Sequence, residues 1–179
     1  MTPSPQTSRQ SGFAMVEVLV TMLIMAFGLL GYVGLQARTT LSQIEAYQRT
    51  QALVLVNDIA ERIKLNRTQA AAYVATDIGT TANTDCATKP TLAEKDLCEW
   101  GLLIQGAAEV DASNKKLGAV TAARACISSP SANAYLITLA WQGVQATGAP
   151  KSLCGKDAFS NEAMRRSVNL VVQIASLGT

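Results

Sequence analysis

One stretch constrains this chain more than any other. Residues 13–37 are 25 positions of which 19 are hydrophobic, and Glu17 is their sole side chain charged at neutral pH. A run of about 23–25 apolar residues can cross a roughly 30 Å hydrocarbon core as an α-helix. No second run of that length exists in the 179 residues, which excludes a polytopic membrane protein. The whole chain is 49% hydrophobic, and without the run the remainder falls to about 45%, ordinary for a water-soluble domain. The expectation is one membrane-length helix attached to one globular domain large enough to bury a core.

Residues 1–12 are polar, with Arg9 as their only charge. A secretory signal peptide would have a shorter apolar core closed by a small-residue cleavage site, and nothing of the A-x-A kind ends this run. The run passes instead through Gln36-Ala37-Arg38 into more helix-like sequence. It reads as a signal anchor with the amino terminus cytoplasmic beside Arg9 and the rest exported. Glu17 does not suit a plain anchor, because a carboxylate inside a membrane segment is costly without a partner or a function. Gly28, Gly31 and Gly34 are tolerated in a membrane helix, and they would also permit close helix contact or a soft turn.

Composition removes many chemistries. There is no histidine, which excludes His-based acid–base catalysis, Ser-His-Asp and Cys-His nucleophiles and every His-containing metal site. No paired catalytic carboxylates and no nucleotide loop stand out, so no catalytic residue, no metal and no cofactor is assigned, and the chain is read as not an enzyme. A net charge of +2 without a basic stretch argues against nucleic acid as a partner. The basic doublets Lys115-Lys116 and Arg165-Arg166 read as solvated loop or strand-end charges. Cys86, Cys98, Cys126 and Cys154 include no C-x-x-C spacing, which disfavours a zinc ribbon or a thioredoxin-like motif. In an oxidising compartment an even count reads as two disulfides, with three pairings open.

Beyond the run, residues 38–67 continue as an amphipathic helix. Ala52, Leu55, Val56, Ile59, Ala60 and Ile63 recur at helical spacing as one apolar stripe, with Asp58, Glu61, Arg62 and Lys64 on the other side. Asp58 and Arg62 stand at a favourable i,i+4 spacing, and Asn66 is a plausible stop. Residues 76–89 read as an exposed loop, and residues 91 to about 110 as a second short amphipathic helix carrying Leu92, Leu97, Leu102, Leu103 and Ala107. Residues 120–127, 135–141 and 168–174 are β-branched-rich runs that predict three strands, with turn signals at Ser128-Ser129-Pro130-Ser131 and Gly148-Ala149-Pro150. Trp100 and Trp141 are assigned to core packing.

Gly12-Phe13-Ala14-Met15-Val16-Glu17-Val18-Leu19-Val20 resembles the class III leader junction of type IV prepilins and type II secretion pseudopilins. Ala14 and Met15 replace the commoner Thr and Leu of that family. The resemblance implies cleavage between Gly12 and Phe13 by a prepilin peptidase, N-methylation of Phe13, and an assembly role for Glu17, which would meet the amino terminus of a neighbouring subunit. Residues 58–67, with Asp96-Leu97, Trp100, Cys86, Cys98 and the 135–141 strand, are similar to PilV-type minor pilins. In type IV pilins a carboxyl-terminal disulfide commonly ties a loop to the sheet, which favours Cys86–Cys98 and Cys126–Cys154. Those bonds would close loops of about 13 and 29 residues, worth about 3–4 kcal/mol each on a chain-entropy account.

The implied fold is α+β, a type IV pilin fold with a long N-terminal helix packed on a small antiparallel sheet. Its parts would be a leader peptide at 1–12, a transmembrane half-helix at 13–37, an amphipathic half-helix at 38–67 and a disulfide-bonded head at 68–179. The implied function is that of a minor pilin in type IV pilus assembly, by priming, incorporation or a tip complex. The alternatives are a minor pseudopilin of type II secretion and a pilus-tip adhesin. Partners would be the prepilin peptidase, the major pilin, other minor pilins and the inner-membrane assembly platform. The chain would cross the bacterial inner membrane once, head in the periplasm, and then enter the pilus fibre or tip.

Overall fold

The computed structural model describes residues 14–81, 85–107, 110–113 and 120–175. The chain divides into two compact units, Met1–Ser42 and Gln43–Thr179. The described part of the first is helical from Met15 onward, the opening of α1, Met15–Leu65. Thr21, Thr39 and Thr40 donate their hydroxyls back to the carbonyls of Val18, Leu35 and Gln36. These three hydroxyls are thereby satisfied within the helix itself.

The second unit is an α+β head. The remainder of α1 is followed by a short 3₁₀ segment, Arg67–Tyr73, then β1 (Ala75–Ile78), α2 (Leu92–Ile104), β2 (Arg124–Ser131), β3 (Ala134–Gln142) and β4 (Arg165–Gln173). The strands form one antiparallel sheet in the order β1-β2-β3-β4. The stripe on α1 supplies the core: Ala52, Val56, Ile59, Ala60 and Ile63 are at most 1% exposed, and Leu55 packs beside them. In the same cluster are alternate residues of β3, Tyr135, Ile137, Leu139 and Trp141, with Val168 and Val172 of β4. Period-2 alternation places those side chains on one face of the sheet. Burying each large aliphatic side chain stabilises the head by about 1.5–3 kcal/mol.

Several boundaries depart from the sequence reading, each for a local reason. The stretch expected as a loop at 76–89 contributes β1, so the sheet has four strands rather than three. β2 begins at Arg124 because Ala122 adopts a left-handed φ of 50° in a turn closed by Ala123 N–H to Val120 O. It then runs through the expected turn at Ser128–Ser131, since the reversal lies at Ala132-Asn133, where Asn133 tolerates φ 59°. β4 starts three residues early, at Arg165.

α2 is opened by a reciprocal capping box: Glu94 N–H donates to Thr91 Oγ1, and Thr91 N–H donates to the Glu94 carboxylate. It stops at Ile104, short of the expected Val110, because Gly106 turns left-handed at φ 77° just past the last turn. Its inward face is Ala93, Trp100, Gly101 and Ile104, whereas Leu92 is 59% exposed.

Candidate assembly site

Glu17 lies in the first turn of α1, its N–H donating to Ala14 O at 2.9 Å. Every described residue from 14 to 40 is exposed, Met15 by 86% and Leu30 by 70%. No side chain among the described residues offers Glu17 a hydrogen bond or an ion pair. Gly28, Gly31 and Gly34 sit within unbroken helix, and a Cβ at any of them would meet nothing within 4 Å. Gly12 and Phe13 lie outside the described residues, as do Lys115 and Lys116. The described part of this half is therefore an apolar helical surface with one carboxylate on it, and α1 is long and apolar enough to cross a membrane.

The head presents the opposite arrangement in two clusters, where charges are enclosed and paired. Arg165 and Arg166 are not the solvated charges that their sequence context suggested. Arg165 is 3% exposed; its Nε donates to Glu162 at 2.7 Å, and its Nη atoms reach the carbonyls of Ser152, Cys154 and Pro150. It thereby clamps the loop that carries Cys154 to the start of β4. Desolvation opposes the Glu162 charge, but the Arg165 guanidinium and the Asp157 N–H together prevail and hold its carboxyl below the usual carboxylate range.

Arg166 pairs with Glu45 of α1 at 3.3 Å, and Glu45 Oε1 also accepts the N–H of Val144 at 2.8 Å. Gly143 leaves room for this pair, since a Cβ there would stand 2.9 Å from Glu45 Oε1 and 3.0 Å from Arg166 Cζ and would push the ends of those side chains aside.

A second cluster joins α1 to α2. Arg62, expected on the solvated side, ion-pairs with Asp58, Asp96 and Glu99 at 2.9–3.0 Å. Burial opposes its charge, but the three carboxylates prevail and raise its pKa. Tyr73, fully buried, donates its hydroxyl to Asp96 and accepts from Asn66 Nδ2 at 3.2 Å. Burial, then the Asp96 carboxylate, push the phenol from 10 up to about 12. Trp100 Nε1 donates to Leu55 O at 2.8 Å. No sequence signal singles out Tyr73 or Glu45, because their partners are distant in the chain.

Cys86 is bonded to Cys98 and Cys126 to Cys154, with Cα–Cα separations of 5.5 and 5.8 Å. The first bond holds the segment before α2 against that helix, and the second holds the loop after β3 against β2.

Comparison with known families meets this geometry at both ends of α1. The Prokaryotic N-terminal methylation motif matches residues 7–33, which take in Glu17 and the apolar run. The Tt1218-like family, described as Type IV pilin Tt1218, matches residues 34–103, from the rest of α1 through nearly all of α2. The chain is type IV pilin-like. No curated protein and no solved structure matches it. The family is one of structural pilins, and the pilin fold accounts for both halves of α1: an exposed apolar half and a half packed on the sheet. The strands β2 to β4 lie beyond both matched regions and are known here from the structure alone.

Proposed function

We propose that this pilin is a minor subunit, most similar to the PilV type, that takes part in type IV pilus assembly after a prepilin peptidase processes it. The observation that carries the reading is Glu17, a lone carboxylate on an exposed apolar helix, with no partner among the described residues. Hydrolysis between Gly12 and Phe13 adds water across one amide, leaving a carboxylate on Gly12 and an ammonium on Phe13. N-methylation of Phe13 leaves that nitrogen basic and cationic. Glu17 stands one helical turn from Phe13, about 6 Å along the axis. In apolar surroundings either charge alone is costly, while the two attract strongly.

The amino terminus of a neighbouring subunit then answers Glu17 and sets the axial register of packed helices. Before assembly the helix waits in the inner membrane with the head in the periplasm, an oxidising compartment that suits two disulfides. The assembly platform, the major pilin and other minor pilins are the partners of that transfer.

Mass spectrometry of sheared filaments tests the proposal. A form beginning at methylated Phe13 is expected, and an intact Met1 terminus in assembled material would refute it. Glu17→Ala should retain the melting temperature of the head yet disappear from filaments; wild-type incorporation of that variant removes the role of Glu17. Normal piliation with failed protein secretion in a deletion strain would transfer the same helix chemistry to a type II secretion pseudopilin.

A further inference from the structure

The two edges of the sheet are unlike. β1 is four residues long, its register with β2 shifts between Ala75 and Ile78, and Asp77 takes a left-handed φ of 54°. A short, irregular edge of that kind resists the addition of another strand. β4, at the other edge, runs nine residues in unbroken register with β3, from Gln142↔Arg165 to Ala134↔Gln173. It contains no proline and no lysine, and its two arginines are engaged by Glu162 and Glu45. No strand among the described residues lies on its outer side, and Asn169, Val171 and Gln173 are exposed. The devices that usually blunt a sheet edge are present on β1 and missing from β4.

A cavity of about 360 Å³ opens at the Ser167 end of β4, lined by Glu45, Ala46, Arg49, Trp141, Arg166 and Ser167. Its charges do not balance. Glu45 is saturated, with Oε1 accepting from Val144 N–H and Gln145 N–H and both oxygens facing Arg166. Arg49 is exposed and has no acidic partner among the described residues. One unneutralised guanidinium thus stands beside a run of open main chain.

We propose that β4 is a docking edge for an extended segment of another protein, which adds as a fifth strand and seats an Asp or Glu side chain in this cavity against Arg49. Main-chain hydrogen bonds along the edge supply affinity, and the cavity at its end supplies selectivity. The planar guanidinium fork suits a carboxylate better than a point charge would. The inference uses the head alone and stands apart from the role assigned to Glu17.

Fluorescence anisotropy on the full-length chain in detergent micelles tests it, with the labelled peptide Glu-Thr-Val-Thr-Val-Thr-Glu as probe. Glutamates at both ends cover either strand direction. Saturable binding below about 1 mM is expected. The Gln-ended counterpart should bind about fivefold more weakly. N-methylation at alternate peptide residues should abolish binding, because it removes main-chain donors. Arg49→Ala should erase the Glu–Gln difference without changing the melting temperature, and the peptide should slow amide exchange in β4 but not in β1.

Four results would each overturn the proposal. They are no saturable binding, equal binding of the N-methylated peptide, and a Glu–Gln preference that survives Arg49→Ala. The fourth is self-association of the chain that Val171→Lys removes, which would make a second copy the occupant of the edge.

Discussion

Two parts of a single helix, residues 15–40 and residues 52–63 of α1, carry similar apolar residues and do opposite things with them. In the first, every described side chain is exposed, whereas in the second five positions of the stripe are at most 1% exposed. Apolar content is common to both; the period distinguishes them. A helix that is apolar on all sides offers no face to solvent water and needs lipid or other helices around it, while a striped helix is completed by its own sheet. The charges follow the same division. Glu17 has no partner among the described residues, whereas Arg165 has a carboxylate and three carbonyls around it.

That contrast is broken most directly by removing one charge from each part. Arg165→Met should destabilise the head by about 3–5 kcal/mol in chemical denaturation, because it takes the donor from three enclosed main-chain carbonyls at once. Glu17→Gln should leave the same transition unmoved; a comparable loss from both variants would erase the distinction. Next in size, Ile59→Ala should cost about 2–4 kcal/mol through the cavity it leaves in the core, against no measurable change for Leu30→Ala. An equal response to the two truncations would mean that the apolar half is packed by its own chain after all.

The head also has a pH signature that the apolar half lacks. The pKa of Tyr73 is raised in the folded state, so its contribution is complete below about pH 10 and is lost as pH rises through about 12. Thermal melts across that window should show the melting temperature falling, and Tyr73→Phe should flatten the fall. A profile unchanged by the substitution would remove Tyr73 as its source. The smallest effect separates the two tryptophans. Trp100→Phe should cost about 1 kcal/mol beyond its lost packing, since it gives up the bond to Leu55 O. Trp141→Phe gives up no such bond, because its buried Nε1 has no partner among the described residues. An equal excess cost for the two would show that Trp141 Nε1 is satisfied in solution.

Much of this fold is legible in the residues themselves, and the limit of legibility is chain distance. The stripe from Ala52 to Ile63 was readable because helical period is a local property. The centre of β3 was readable because its β-branched and aromatic run is contiguous. β1 was not: Ala75-Thr76-Asp77-Ile78 has little strand character, and it becomes a strand by pairing with Ala125 and Ile127 some fifty residues away. Leu92 shows a related limit. It is apolar yet 59% exposed, because the face of α2 that turns inward is the one carrying Ala93, Trp100 and Ile104.

The candidate site divides in the same manner. Glu17 and the apolar run around it are contiguous and stand out from the sequence alone, and the resemblance of Gly12-Phe13 to a class III leader junction also rests on neighbouring residues. Arg165 and Arg166 looked like a solvated doublet because nothing near them in sequence is acidic except Glu162. Their environment is made by a loop from residue 150 onward and by Glu45, 121 residues earlier.

By itself, the sequence determined that one helix must be half apolar and half striped, and that a lone carboxylate marks its start. It did so because hydropathy and helical period act within a few turns. Only the tertiary structure decided which charges are buried, which cysteines meet, and which edge of the sheet is left open. Those outcomes depend on groups brought together across long loops, and the cost of burying an unpaired charge or main-chain amide is set by its three-dimensional neighbours.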